Sequence, residues 1–158
     1  MKKSRAFTLI EILITLFIII TLAAIMLPKF YNYDKETKLD IAAAEVKEAI
    51  LETQSLALAP PTSSVDIEYY KIVFNNNSYQ IFEHHKSTGL DSEYGAVKNL
   101  PNDVVFEGTS LPAELKFYVE NRGRADQGLI LDIRQKNGSA RRLNVIGETG
   151  QVIIENRT

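Results

Sequence analysis

The chain has no cysteine in its 158 residues, so no disulfide can close a loop and no thiolate can hold a metal. Its stability has to come from packing, and the absence fits an oxidising or a reducing compartment equally. Histidine is nearly absent: His84 and His85 are the only two. As neighbours on a strand they would face opposite sides, with nothing at metal-ligand spacing beside them, so they read as solvent-facing hairpin residues. With no other histidine and no strained serine turn, serine-hydrolase chemistry has no constellation to stand on. Asp91, Asp126 and Asp132 lack the spacing of a calcium loop. No catalytic set, metal site or cofactor site emerges, and the expectation is a protein that is not an enzyme. About 130 residues lie outside one long apolar run, room for one modest domain and one core, which excludes a multidomain enzyme. The formal net charge is −2, so the chain is not a globally basic nucleic-acid binder. Residues 29–113 carry 7 basic and 13 acidic side chains, and residues 114–158 carry 8 and 6; the tail end is mildly basic.

Charge is scarcest between residues 7 and 27, where Glu11 alone interrupts an apolar run that follows the basic head Met-Lys-Lys-Ser-Arg-Ala. An acidic side chain in a membrane helix costs about 2.5 to 3.5 kcal/mol on insertion scales, so an intramembrane carboxylate marks a functional site with a partner to be found. The run is too long for the 7 to 15 apolar residues of a cleaved secretory signal. It is long enough to span a bilayer, with Lys2, Lys3 and Arg5 holding the N-terminus in the cytoplasm. A plain signal anchor would satisfy all of this except Glu11.

The stretch Arg-Ala-Phe-Thr-Leu-Ile-Glu, residues 5–11, followed by an apolar helix, resembles the class III signal of type IV pilins and type II secretion pseudopilins. The resemblance implies that a prepilin peptidase cuts between Ala6 and Phe7 on the cytoplasmic side, that the new Phe7 amine is N-methylated, and that Glu11 meets the Phe7 amine of a neighbouring subunit in a helical filament. The cut would place an α-amine four residues before Glu11, one helical turn away on the same face. It would also remove three positive charges with Lys2, Lys3 and Arg5. One position departs from the pattern, with Ala6 standing where glycine is usual. Pro28 fits the proline common near the end of such membrane segments.

Four stretches follow: a cleaved basic leader at residues 1–6, a transmembrane or filament-core helix at 7–28, an amphipathic helix at 29–59, and a β-rich globular part at 60–158. In the amphipathic helix Leu39, Ala42, Ala43, Val46, Ala49, Ile50, Leu56 and Ala57 recur at three and four spacing, with Glu45, Lys47, Glu48 and Glu52 largely opposite. Pro60-Pro61 ends it. Beyond lie short runs of period two: residues 69–74 and 79–83 as a hairpin around Asn75-Asn76-Asn77-Ser78, a looser stretch at 86–103, strands at 104–106 and 115–119, and a meander of 129–134, 141–146 and 151–155 through turns at Asn137-Gly138 and Glu148-Thr149-Gly150. The apolar side of this antiparallel sheet would pack on the helix stripe, giving an α+β fold with a long N-terminal helix.

Asn-Arg-Gly-Arg, Arg-Arg-Leu-Asn-Val-Ile and Thr-Gly-Gln-Val-Ile, within residues 115–154, look like the β-rich end of the GspH/FimT group of minor pilins and pseudopilins. The resemblance implies a structural subunit of a type IV pilus or type II secretion pseudopilus. Its partners would be other pilin or pseudopilin subunits, the prepilin peptidase, an inner-membrane assembly platform and membrane lipid. Before assembly it would be a single-pass inner-membrane protein with a cytoplasmic N-terminus and the C-terminal domain outside the cytoplasm. An alternative comes from the FimT-like branch, some of whose members bind DNA during natural uptake. Here the contacts would fall to Arg122, Arg124, Arg141 and Arg142, since arginine's planar fork suits phosphate. Against it stand the interleaved acids Glu120, Asp126, Asp132 and Glu148, which would pair the arginines locally.

Overall fold

The computed structural model describes residues 8–61, 66–108, 110–136, 138–147 and 149–157, with side chains described at all of these except 27–32. Ala6, Phe7 and the turn residues Asn137 and Glu148 lie outside the described residues. One helix, α1, spans Leu9–Leu58 and continues through Pro28. The chain divides into two compact units, Met1–Glu36 and Thr37–Thr158.

In the second unit, α1 ends at Leu58, just before Pro60-Pro61. The Ala59 N–H donates to the Ser55 carbonyl at 3.0 Å, and Pro60 and Pro61 supply no further donors. One stripe of this helical stretch is fully buried: Leu39, Ala42, Ala43, Val46, Ala49, Ile50 and Ala57 are at most 1% exposed. Thr53 shares the stripe without leaving a polar orphan, because its hydroxyl donates to the Ala49 carbonyl at 2.7 Å.

Among the described residues nine strands follow: β1 Ile67–Phe74, β2 Ser78–His85, β3 Asp91–Asn99, β4 Val104–Glu107, β5 Ala113–Tyr118, β6 Arg124–Ala125, β7 Leu129–Gln135, β8 Ala140–Val145 and β9 Val152–Arg157. All pairings are antiparallel. They form two sheets, of order β3-β2-β1-β5-β6 and β4-β7-β8-β9. The meander read from the sequence is β7-β8-β9, and β4 joins its outer side.

Period-two alternation decides what each strand buries. On β1, Tyr70, Ile72 and Phe74 are fully buried and register with Phe117, Leu115 and Ala113 of β5. On the other sheet Leu131 and Ile133 of β7, Leu143 and Val145 of β8 and Val152 of β9 point inward. These side chains and the helix stripe form one core cluster, each large aliphatic contributing about 1.5 to 3 kcal/mol by burial. Phe106 packs edge-on against Phe74 at 5.4 Å between ring centres and so ties β4 to β1 across the two sheets.

The stretch expected to be loose holds a nine-residue strand, β3. It is an edge strand with no buried residue, so it never needed the apolar alternation by which a strand is recognised. Gly95, at φ +83°, takes a backbone shape that other residues resist, where the β2–β3 register slips between Tyr79 and Ile81.

Candidate functional site

In the first unit, the described run Leu9–Met26 has a mean hydropathy of 2.8 and none of it is buried. By length and composition it can cross a membrane. Its threonines suit an apolar surrounding: the Thr15 hydroxyl donates to the Ile12 carbonyl at 2.9 Å and that of Thr21 to the Phe17 carbonyl at 2.5 Å. Glu11 sits in the first turn of α1, where the N-terminal end of the helix dipole favours an anion. Its side chain is exposed and has no ion-pair partner among the described residues.

The tail arginines are placed individually. Arg141 and Arg142 alternate across β8, as strand geometry demands, and each holds a carboxylate. The Arg141 Nε donates to Asp40 of α1 at 2.7 Å. Arg142 clasps Asp132 in a two-pronged bond at 2.8 and 3.1 Å, and Arg157 reaches the same carboxylate. The Arg142 hydrogen bond leads in holding the Asp132 carboxyl below the usual aspartate range, against the opposing effect of burial. Arg134 lies 2.6 Å from Glu107. The reading of Arg141 and Arg142 as DNA contacts therefore finds no support: they face opposite sides of the strand, and their guanidinium groups are engaged.

Arg122 and Arg124 differ. Both are exposed and unpaired among the described residues. They flank the tip of the β5–β6 hairpin, where the Arg124 N–H donates to the Asn121 carbonyl at 3.3 Å and Arg122 and Gly123 have φ of 53° and 68°. Two consecutive positive φ values make this a type I′ turn. The turn is fixed to the helix by Gln54, whose Nε2 donates to the Gly123 and Thr149 carbonyls at 3.2 Å each. The hairpin borders an open cleft of about 1010 Å³ whose floor includes Tyr118, Ala125 and Ile146.

The histidines are not simply solvent-facing. His84 lies flat on the Tyr69 ring at 4.4 Å, and its Nδ1 is 2.7 Å from Asp91. His85 Nε2 is 2.9 Å from the Ser92 hydroxyl. Beside His84, Lys71 is nearly buried with its Nζ 2.7 Å from Asp91 and 3.3 Å from Glu114. Burial pushes the Lys71 ammonium down, but the Asp91 hydrogen bond and the Glu114 charge outweigh it and leave its pKa raised. These contacts bind the edge strand β3 to the sheet. Sequence reasoning missed this cluster because its members meet only once the β1–β2 and β2–β3 registers are known. Among the described residues no group of three or more metal-binding side chains comes together.

Residues 1–27 match the prokaryotic N-terminal methylation motif. No curated protein matches the chain. The fold is similar to that of the minor pseudopilin EpsH from the type 2 secretion system of Vibrio cholerae, with a TM-score of 0.56 and 13% identity over 75% of this chain and 97% of that one. It is similar also to the type IV minor pilin FimU of Pseudomonas aeruginosa, with a TM-score of 0.58 and 13% identity over 78% of this chain and 92% of that one. The chain thus carries the prokaryotic N-terminal methylation motif at its start and has the fold of the minor pilins and pseudopilins.

Proposed function

We propose that this chain is a minor pilin or pseudopilin, a structural subunit that leaves the membrane to join a type IV pilus or a type II secretion pseudopilus. The observation that carries the reading is Glu11: a carboxylate with no ion-pair partner among the described residues, at the start of an exposed apolar helix, behind a methylation motif and ahead of a pilin-type fold. In this reading a prepilin peptidase removes residues 1–6 at Ala6, and Phe7 becomes the methylated N-terminus. Glu11 then accepts the charged amine of a neighbouring subunit. Lys2, Lys3 and Arg5 keep the head in the cytoplasm until the cut, and an inner-membrane platform draws the subunit from lipid. The role is structural and needs no catalytic group.

Sequencing the mature N-terminus from membrane fractions tests it. Phe7 as the first residue is the expected result, and an intact Met1 would reduce the segment to an anchor. Glu11→Ala should insert in the membrane at least as well, because a costly charge is gone, yet fail to enter filaments. Incorporation at the wild-type level would refute the pairing. Ala6→Val should block the cut by crowding a peptidase subsite that takes small residues.

A further inference from the structure

In the first unit, α1 runs on past its apolar stretch, and the sequence it carries there changes character abruptly. Leu9–Met26, with its 18 residues, is about 27 Å long at 1.5 Å per residue, against about 30 Å of bilayer hydrocarbon. Lipid tails would therefore end close to Pro28. The next two turns read Lys29-Phe30-Tyr31-Asn32-Tyr33-Asp34-Lys35, which sets three aromatic residues within four positions and a lysine at either end. No other four-residue window of the chain holds three aromatics. In the second unit Tyr70, Phe74 and Phe117 are fully buried in the core, whereas Tyr33 is 72% exposed. Its ring is not there to pack a protein interior.

Helix geometry carries that ring to a definite level. The Tyr33 Cα lies about 10 Å along the axis beyond that of Met26, and the headgroup layer is roughly 5 to 8 Å deep on each side of the hydrocarbon. Side chains on a helix lean toward its N-terminus and cover the turn before their own Cα. Because α1 leaves the membrane with its N-terminus behind it, that lean points back toward lipid and brings the ring into the headgroup layer. A tyrosine suits this level, with an apolar body for the tails and a hydroxyl for water.

We propose that residues 29–35 form a collar that binds the phospholipid headgroup layer on the side of the membrane away from the basic head, with Tyr33 as its outer ring. This deepens the membrane stage of the subunit reading and rests on it, naming the lipid contact that fixes the resting level of α1. The collar also bears on Glu11. A slide of one helical turn toward the cytoplasm, about 5 Å, would bring that carboxylate nearer the headgroups on the basic side, but only by drawing Lys29, Tyr31 and Asn32 into hydrocarbon.

The chain has no tryptophan, so a single one reports its own depth. The full chain is placed in phosphatidylcholine and phosphatidylglycerol vesicles whose acyl chains carry bromine, a contact quencher, either near the headgroup or near the chain end. Tyr33→Trp should be quenched only by the shallow bromines, and Phe17→Trp, halfway along Leu9–Met26, chiefly by the deep ones. Tyr33→Trp quenched by neither set, with the red emission of water, would overturn the collar and leave the membrane-spanning stage intact if Phe17→Trp is still quenched deep. Phe17→Trp untouched by either set would sink both. Anchoring is read separately in native membranes. There Met26→Cys, the sole thiol, should resist a membrane-impermeant maleimide added from the collar side. Tyr31→Ser with Tyr33→Ser should raise its labelling several-fold, and Tyr31→Ser with Tyr33→Trp should restore most of the shielding. Labelling indifferent to the loss of both rings, or not recovered by the tryptophan, would show that the rings hold nothing in place.

Discussion

Gly123→Ala is the sharpest perturbation of the fold, because Gly89 supplies its control. Both glycines sit in the left-handed region, at φ +68° and +66°, so an alanine at either suffers the same backbone penalty of about 1 to 2 kcal/mol. A gain of about 0.4 to 1 kcal/mol from a stiffer unfolded chain offsets part of it. Around Gly89 a new Cβ meets nothing within 4 Å, so Gly89→Ala should cost only the difference of the two, about 0 to 1.6 kcal/mol. At Gly123 the Cβ would lie 2.7 Å from the Leu58 Cγ and 3.0 Å from the Gln54 carbonyl oxygen. The helix or the turn must give way, at an overpacking cost of about 1 to 3 kcal/mol. The hydrogen bond from Gln54 to the Gly123 carbonyl is strained with it.

The measurement is chemical denaturation of residues 29–158, with the midpoint compared at constant m-value. Gly123→Ala should fall below Gly89→Ala by about 1 to 3 kcal/mol, a large share of the 5 to 15 available to a domain of this size. Leu58 is 57% exposed, so Leu58→Ala should cost little alone and recover part of the loss when combined with Gly123→Ala, a coupling that a double-mutant cycle isolates. Equal losses at the two glycines would show that the close approach of turn and helix is wrong.

Residues 29–158 should be soluble and monomeric, since the exposed apolar run is gone while Leu39, Val46 and Ile50 keep their cover; a sedimenting oligomer would contradict this. In that fragment Val46→Asp should abolish the folded circular dichroism spectrum, because position 46 is fully buried and an unpaired carboxylate there costs several kcal/mol, whereas Ile41→Asp, at a half-exposed position, should be tolerated. Stability should fall in acid. Asp132 and Asp91 are held below their unfolded values by Arg142 and by Lys71 hydrogen bonds, so their contribution is whole above the unfolded carboxylate range and fades as pH drops from about 5 through the folded values. Asp132→Asn should lower stability near neutrality and flatten that acid limb, and an unchanged slope of midpoint against pH would show the carboxylate is not coupled to folding.

What was legible in the sequence is what buries a face. The α1 stripe from Leu39 to Ala57 and the inward rows of β1, β5, β7 and β8 repeat at 3.6 or 2 residues because the core selects them. β3 selects nothing apolar and was hidden for that reason, and the division of strands between two sheets follows from cross-strand registers that no local pattern carries. Glu11 was legible as a charge where charge is costly. The arginine partners were only half so: alternation along β8 separates Arg141 from Arg142 in advance, but that Asp40, 101 residues away, would receive Arg141 depends on how helix and sheet pack. That Arg122 and Arg124 have no partner among the described residues is likewise a tertiary fact, since Glu120 and Asp126 stand close in sequence and bond instead to Lys86 and the Lys116 backbone.

Under the proposed reading, the two parts of the chain divide the work of assembly. The unit of residues 37–158 covers its own core, whereas the run Leu9–Met26 covers nothing of its own and requires lipid or other apolar helices as its surroundings. For a fully apolar helix those two surroundings are nearly equivalent, because lipid tails are as apolar as leucine. Glu11 breaks the equivalence. In lipid it carries a penalty of about 2.5 to 3.5 kcal/mol, and beside a neighbour's amine that penalty is relieved, so the carboxylate destabilises the lone membrane form relative to the assembled one. Glu11→Gln should then leave a subunit that remains in the membrane and no longer gains by leaving it, and its recovery in filaments at the wild-type level would show that the charge supplies no such bias.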